Sequence, residues 1–402
     1  MLASRSVKIP SGSIGTIAGN GEPGHAGDNG SAIEACLNEP KGLALGLNGI
    51  LYVADAENHV VRKVDLASGL ITTVAGQPEK GTEASGPARA EAPPEDEDPL
   101  ADPPAGKAEK FVQLSDVSGT VRYVVGAGKG GRFGGDGGLA TQATLNFPGA
   151  VAVDRQGHLY IADTMNHRVR KVDVATGVIT TIAGTGQHRC SGDGGPATAA
   201  ALNEPAALAV DDLGNLYIAD QSNNRVRKMD LSTGVITTVA GTGETGYTGD
   251  GMPATEAGVS GPSGLTLGPD GDLYIADTFS GRIRRVDPAT GIISTVAGDG
   301  GEYRFSGLPN EFSTSLSRPY GIALDAAGNL LITDSDSHLI RRWDRRKKII
   351  TRLAGSGQAQ FAGDGGDPLA GSLNYPFGVV VDGAGNVYIA DTFNHRIRMI
   401  AV

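Results

Sequence analysis

The sequence predicts an all-β fold: a six-bladed β-propeller of four-stranded antiparallel blades, closed by the N-terminal strand, with a proline- and acid-rich insertion after blade 1. Three observations carry this. A phrase of the form Leu-Asn-x-Pro-x-Gly anchors on Pro40, Pro148, Pro205, Pro262, Pro319 and Pro376, and the last five are 57 residues apart (205 − 148 and onward). Each repeat reads as four short strands. The last repeat stops at its third strand, and the chain opens with a stray fourth. A fixed period of this size means stacked units that have no core of their own.

The second repeat shows the elements in order. Phe147–Asp154 is an apolar run of strand length, and the turn Arg155-Gln156-Gly157 follows it. Next come Leu159–Asp163, Arg168–Val172 and Val178–Ile182, with Gly177 at a turn that needs positive φ. Sustained helical periodicity is absent. A strand apolar on both faces is an inner strand, whereas Arg-Val-Arg-x-Val is expected to keep one wet face. At the ends, the strand at 395–401 lacks a fourth-strand partner and Ile14–Gly19 has the fourth-strand pattern, so residues 14–19 are expected to pair with it, complete the final blade and leave no open edge.

These repeated words resemble the NHL-repeat family of β-propellers, in particular its bacterial type. The matching residues are Leu202-Asn203-Glu204-Pro205, Asn215–Asp220, Asn166–Asp173 and the loop Gly192-Asp193-Gly194-Gly195. The resemblance spans nearly the whole chain outside residues 77–119 and implies the propeller fold. Relatives in that family include RNA binders, protein-interaction modules, adhesion domains and a zinc-dependent lyase, and fold does not choose among them.

At 402 residues and 39% apolar, the chain reads as a single propeller over 1–402, with 77–119 a flexible inserted segment. That segment contains Pro93-Pro94-Glu95-Asp96-Glu97-Asp98-Pro99 and is too poor in apolar residues to bury much surface. Phe111–Leu114 and Val121–Gly126 nevertheless look like outer strands. Two readings stand: a seventh blade that has lost its inner strands, or a six-bladed ring with an excursion ending in a hairpin. The second is preferred, because no inner strand passes through Pro103-Pro104. The formal charge of −11 argues against a nucleic-acid partner. No run approaches membrane-spanning length, and Met1–Pro10 lacks an apolar signal core, so a cytoplasmic monomer is expected; a trimmed secreted form would look the same. Cys36 and Cys190 are expected as free thiols.

Residues that recur in every unit hold the fold. Asp55, Asp163, Asp220, Asp277, Asp334 and Asp391, with His59, His167, His338 and His395, are expected to bond within their own blades. The loop aspartates Asp28, Asp136, Asp193, Asp250 and Asp364 are expected to bond nearby amides. The basic turn Arg345-Arg346-Lys347-Lys348 reads as a solvated hairpin, with docking of an acidic partner as the alternative.

Residues that vary between units are free to carry function. Those flanking each proline enter the channel-lining strand, and those after each Tyr-Ile-Ala-Asp face the same mouth. Phe147, Met165, Phe279, Tyr320, Tyr375, Phe377 and Phe393 are expected to make an apolar, substrate-binding wall. Glu39, Glu57, Glu204 and Asp336 are candidate proton donors or acceptors, and Arg318 and Lys41 candidate holders of an anionic group. No histidine or cysteine occupies these positions, so no metal and no cofactor is expected. The sequence therefore points to a small-molecule ligand and to cofactor-free chemistry of lyase, isomerase or cyclase type. A protein partner on the same face, bound without catalysis, is the alternative.

Overall fold

In the computed structural model, the described residues are 7–78, 114–115, 121–122, 133–301 and 314–402. Six antiparallel sheets form the blades, and no α-helix occurs among the described residues. Blade 1 comprises Pro40–Leu45, Ile50–Asp55, Val60–Asp65 and Leu70–Ala75, with Gly30–Ser31 added at its outer edge. Blades 2 to 5 begin at Pro148, Pro205, Pro262 and Pro319 and run to Ala183, Ala240, Ala297 and Ala354. Blade 6 is Pro376–Val381, Val387–Asp391, Arg396–Ile400 and, from the other end of the chain, Ile14–Ala18. The closing pair has Ile14 opposite Ile400 and Thr16 opposite Arg398. Each proline starts an inner strand because ring-locked φ suits the first strand position and its missing N–H is needed by no ladder there. The six inner strands contact one another in order, and the sixth returns to the first.

The core lies between blades. Six separate apolar clusters each join two neighbours; Leu43, Leu51 and Val53 of blade 1, for example, meet Ile17, Tyr388 and Ile397 of blade 6. The chain divides into two units, and in the second Leu114–Ser115 pairs antiparallel with Val121–Arg122. The remainder of the two outer strands expected there, Phe111–Gln113 and Tyr123–Gly126, lies outside the described residues.

The third strands correct one expectation. Arg62, Arg170, Arg227, Arg284, Arg341 and Arg398 have no meaningful solvent exposure, although they sit in the face expected to be wet. Each guanidinium bonds the aspartate that ends its second strand, as Arg170 Nη1 does with Asp163 at 3.2 Å. In five blades it also bonds the loop aspartate, as with Asp136 at 2.7 Å. The loop aspartates therefore serve as counter-ions to buried arginines, not chiefly as local turn caps. Burial pushes the carboxyls of Asp55, Asp163, Asp334 and Asp391 up to about 6, against the pull of the arginine, a backbone amide and their other hydrogen-bond donors.

Candidate functional site: the mouth of the channel

The chain enters five of the six inner strands through an unusual residue. Glu39, Phe147, Glu204, Gly261 and Tyr375 all hold φ between 48° and 57°, immediately before the anchoring proline. That left-handed geometry costs a non-glycine residue on the order of 1–3 kcal/mol and persists only where surroundings fix it. The fixing group is the repeated histidine of the preceding blade. Its Nδ1 accepts the N–H of the left-handed residue: His395 from Glu39 at 3.2 Å, His59 from Phe147 at 3.0 Å, His167 from Glu204 at 3.1 Å and His338 from Tyr375 at 3.1 Å. Asn224 Oδ1 does the same for Gly261 at 2.9 Å. Blade 4 has Gly281 at this position, and the Arg318 N–H bonds Asp334 of its own blade at 3.3 Å. The histidines thus join neighbouring blades, which corrects the expectation that each bonds its own.

A second set of bonds brings the two variable positions together. In five of the six blades the residue in the middle of the turn after the second strand donates its N–H to the carbonyl preceding the left-handed residue, and in blade 5 Ser335 donates instead to the Arg318 carbonyl at 3.2 Å. Glu57 bonds Asn38 at 3.2 Å, Met165 bonds Asn146, Ser222 bonds Asn203, Phe279 bonds Ser260 and Phe393 bonds Asn374. Each blade therefore offers the mouth a side-by-side pair, plus a third residue just after the proline. The pairs are Glu39 with Glu57, Phe147 with Met165, Glu204 with Ser222, Gly261 with Phe279, Arg318 with Asp336, and Tyr375 with Phe393. Direct contacts follow: Ser222 Oγ donates to Glu204 at 2.5 Å, and Arg318 Nε meets Asp336 at 3.4 Å.

The mouth is lopsided. Tyr320, Tyr375, Phe377 and Phe393 of blades 5 and 6 form one cluster, with ring centroids 4.4 Å apart for Tyr320–Phe377, 5.2 Å for Tyr375–Phe393 and 6.4 Å for Phe377–Phe393. His338 packs edge-on against Tyr375 from behind. Lys41 of blade 1 reaches between two rings, its Nζ 4.2 Å from the Phe147 centroid and 4.9 Å from that of Phe377. Opposite these bulky groups, the same strand position holds Gly149, Ala206 and Ser263. Phe279 stands apart from the cluster: it is 60% exposed, lies against Gly261, where a Cβ would sit 2.3 Å from its ring, and faces Arg318 at 5.6 Å. Met165 is half-buried beside Phe147's turn.

The charges are paired within the mouth. Desolvation raises the Glu39 carboxyl above its ordinary value, against the pull of Lys41. Desolvation lowers the Lys41 ammonium, against Glu39 and Glu57. Asp336 is raised by burial, against Arg318, and the Tyr320 hydroxyl is pushed up to about 12 by burial. Both cations expected to hold an anion thus already face carboxylates of this chain. What the pairing offers chemically is a set of acids and bases poised in an apolar wall. Among the described residues, no three His, Cys, Asp or Glu side chains are grouped as metal ligands. A separate cleft of about 300 Å³ lies between the outer strands of blades 4 and 5, lined by Thr295, Asp299, Trp343 and Lys348 among others, and shares no residue with the mouth.

The sequence marks the four histidines as recurring residues but not that each stands behind a rim residue of the next blade. The signal was present as a constant offset: His167 to Glu204, Asn224 to Gly261 and His338 to Tyr375 are each 37 residues.

Comparison with known proteins agrees with this architecture. The family model described as "Teneurin NHL domain" matches residues 5–93, 128–191 and 185–248, and the "NHL repeat" model matches 373–398. The chain is 30% identical over 289 residues to Protein SUPPRESSOR OF QUENCHING 1, chloroplastic, of Arabidopsis thaliana, covering 69% of this chain and 27% of that protein. It is 30% identical over 318 residues to NHL repeat-containing protein 2 of Homo sapiens, covering 69% of this chain and 42% of the other. The chain therefore spans less than half the length of these relatives. Among solved structures, an auxiliary nutrient binding protein from Bacteroides thetaiotaomicron superposes with a TM-score of 0.58 at 15% identity, over 96% of this chain and 75% of that one. No helix of the described residues is long and apolar enough to cross a membrane. With repeat, blade topology and the two family models in agreement over more than half of its length, the chain belongs to the NHL-repeat β-propeller family.

Proposed function

We propose that the mouth binds a small, largely apolar molecule and carries out cofactor-free acid/base chemistry on it, of lyase, isomerase or cyclase type. One observation carries the reading. The cluster of Tyr320, Tyr375, Phe377 and Phe393 is flanked on one side by Arg318–Asp336 and on the other by Lys41 with Glu39 and Glu57. An apolar platform with a few convergent polar groups is the usual form of a ligand site. Glu39 and Asp336, whose protons are held more tightly by burial, are the proton donors in this reading, and Glu57 and Glu204 the acceptors. Arg318 and Lys41 place a hydrogen-bond donor beside oxygen that becomes negative in the transition state.

Native mass spectrometry of protein purified from its own host tests this: a small molecule should co-purify and be lost on unfolding. A partner protein retained in its place would favour the second reading, a non-catalytic interaction scaffold. Phe279 supports that alternative, since a rim phenylalanine that is 60% exposed suits a flat partner better than an enclosed ligand.

A further inference from the structure

We infer that Lys41 is a carbonyl-reactive amine, positioned to condense with an aldehyde or ketone ligand at the channel mouth. The inference rests on reading the mouth as a ligand site and assigns that site a substrate class. Four features of the structure support it.

Lys41 follows Pro40 on an inner strand, and the Pro40 carbonyl accepts the Thr392 hydroxyl of blade 6 at 2.8 Å, so the strand entry is fixed. The Nζ sits between the Phe147 and Phe377 rings at 4.2 and 4.9 Å, which replaces water on two sides of the amine. The equivalent positions of blades 2, 3 and 4 are Gly149, Ala206 and Ser263, leaving room across the channel for an incoming carbonyl. Two carboxylates of its own blade, Glu39 and Glu57, act on the ammonium.

Those carboxylates and the ring faces favour the charged form, and desolvation opposes it. The two partners respond in opposite directions, Glu39 upward and Lys41 downward, with desolvation the largest cause for each. A proton lost by Lys41 and gained by Glu39 replaces two opposite charges by two neutral groups, which an apolar site tolerates better than water does. That exchange supplies both a free amine nucleophile and a carboxylic acid at the same mouth.

The step balances without an oxidant or reductant. The amine lone pair forms a C–N bond to the carbonyl carbon, the C=O π pair moves to oxygen, and one N–H proton passes to that oxygen to give a carbinolamine. The nitrogen then loses its remaining proton to a carboxylate as Glu39 protonates the departing hydroxyl. The products are an imine and water.

The test is labelling of the whole protein with 2,4-pentanedione, which condenses with a free amine to a stable enaminone, followed by peptide mass spectrometry. The exposed Lys347 is the internal reference. Labelling of Lys41 should reach half its maximal rate at lower pH than Lys347, each unit of difference giving about tenfold more free amine at neutral pH. The fast phase should vanish in Lys41→Met. A midpoint equal to that of Lys347 overturns the inference, and so does failure of Lys41 to label at any pH. The probe needs neither the native ligand nor turnover. A mouth that binds its ligand while Lys41 titrates like Lys347 therefore sinks this inference alone. An early-labelling Lys41 in a protein that retains no ligand sinks the ligand reading instead.

Discussion

Replacing His338 by asparagine isolates the bond that holds the rim of the mouth. In the parent, His338 Nδ1 accepts the Tyr375 N–H at 3.1 Å, and only an unprotonated nitrogen can do so. Burial holds this imidazole below its ordinary value of 6.5. The sign follows from linkage. The unfolded chain binds the proton more readily, so the stabilisation is complete above about pH 6.5 and is lost as pH falls through the folded-state value. Each unit of depression is worth about 1.4 kcal/mol. Asparagine keeps the bond, because Asn224 makes it to Gly261 at 2.9 Å in blade 3. It loses the edge contact with Tyr375, about 0.5–1.5 kcal/mol, equally at every pH. The buried aspartates raised to about 6 have the opposite sign, contributing below about pH 4 and losing that contribution as pH rises through 6. They are common to both proteins and cancel in the difference. Urea midpoints at about pH 8 and pH 5.5 are the assay. The parent should lead the variant at the higher pH and lose that lead at the lower. A gap that stays constant would refute the role given to the histidine.

Arg170→Met should destabilise by roughly 3–5 kcal/mol, because it leaves Asp163 buried without its cation; adding Asp163→Leu should restore part of the loss, and denaturant titration of both variants checks this. Removing residues 1–20 takes away Ile14 and Ile17 and uncovers Arg396–Ile400, so aggregation or a large fall in melting temperature is expected, and an unchanged melting curve would contradict closure. Glu39→Gln and Asp336→Asn should leave the melting curve near that of the parent; a variant of a proton donor slows turnover with binding intact, whereas a variant of a group that only orients the ligand weakens binding.

Much of the ring was legible before any coordinates. Six recurring prolines pointed to six blades, and the orphan strand at Ile14 named its partner at the far end of the chain. The arginines were misread for a physical reason. Arg168 and Arg170 alternate onto one face of a strand, so local pattern assigns them one environment. Yet Arg170 is enclosed by Asp136, which lies 34 residues earlier and reaches it only after the loop folds over the blade. The histidines were misassigned on similar grounds, since a constant offset along the chain does not say whether a bond stays within a blade or crosses to the next. At the mouth, the residue types could be read but their pairing could not. That Arg318 faces Asp336, and that Lys41 reaches the rings of two neighbouring blades, depends on turn bonds and on ring closure.

Titration calorimetry of the co-purified small molecule against the parent, Tyr375→Ala and Phe377→Ala tests the central claim most directly. Both side chains are only half-buried, so their loss should cost less than the roughly 3–5 kcal/mol of a core aromatic and leave a folded propeller. If these rings are the ligand wall, affinity should fall at least about tenfold, or about 1.4 kcal/mol, in each variant while the melting curve stays close to that of the parent. Two folded variants that bind the molecule as tightly as the parent would contradict a ligand site at the mouth.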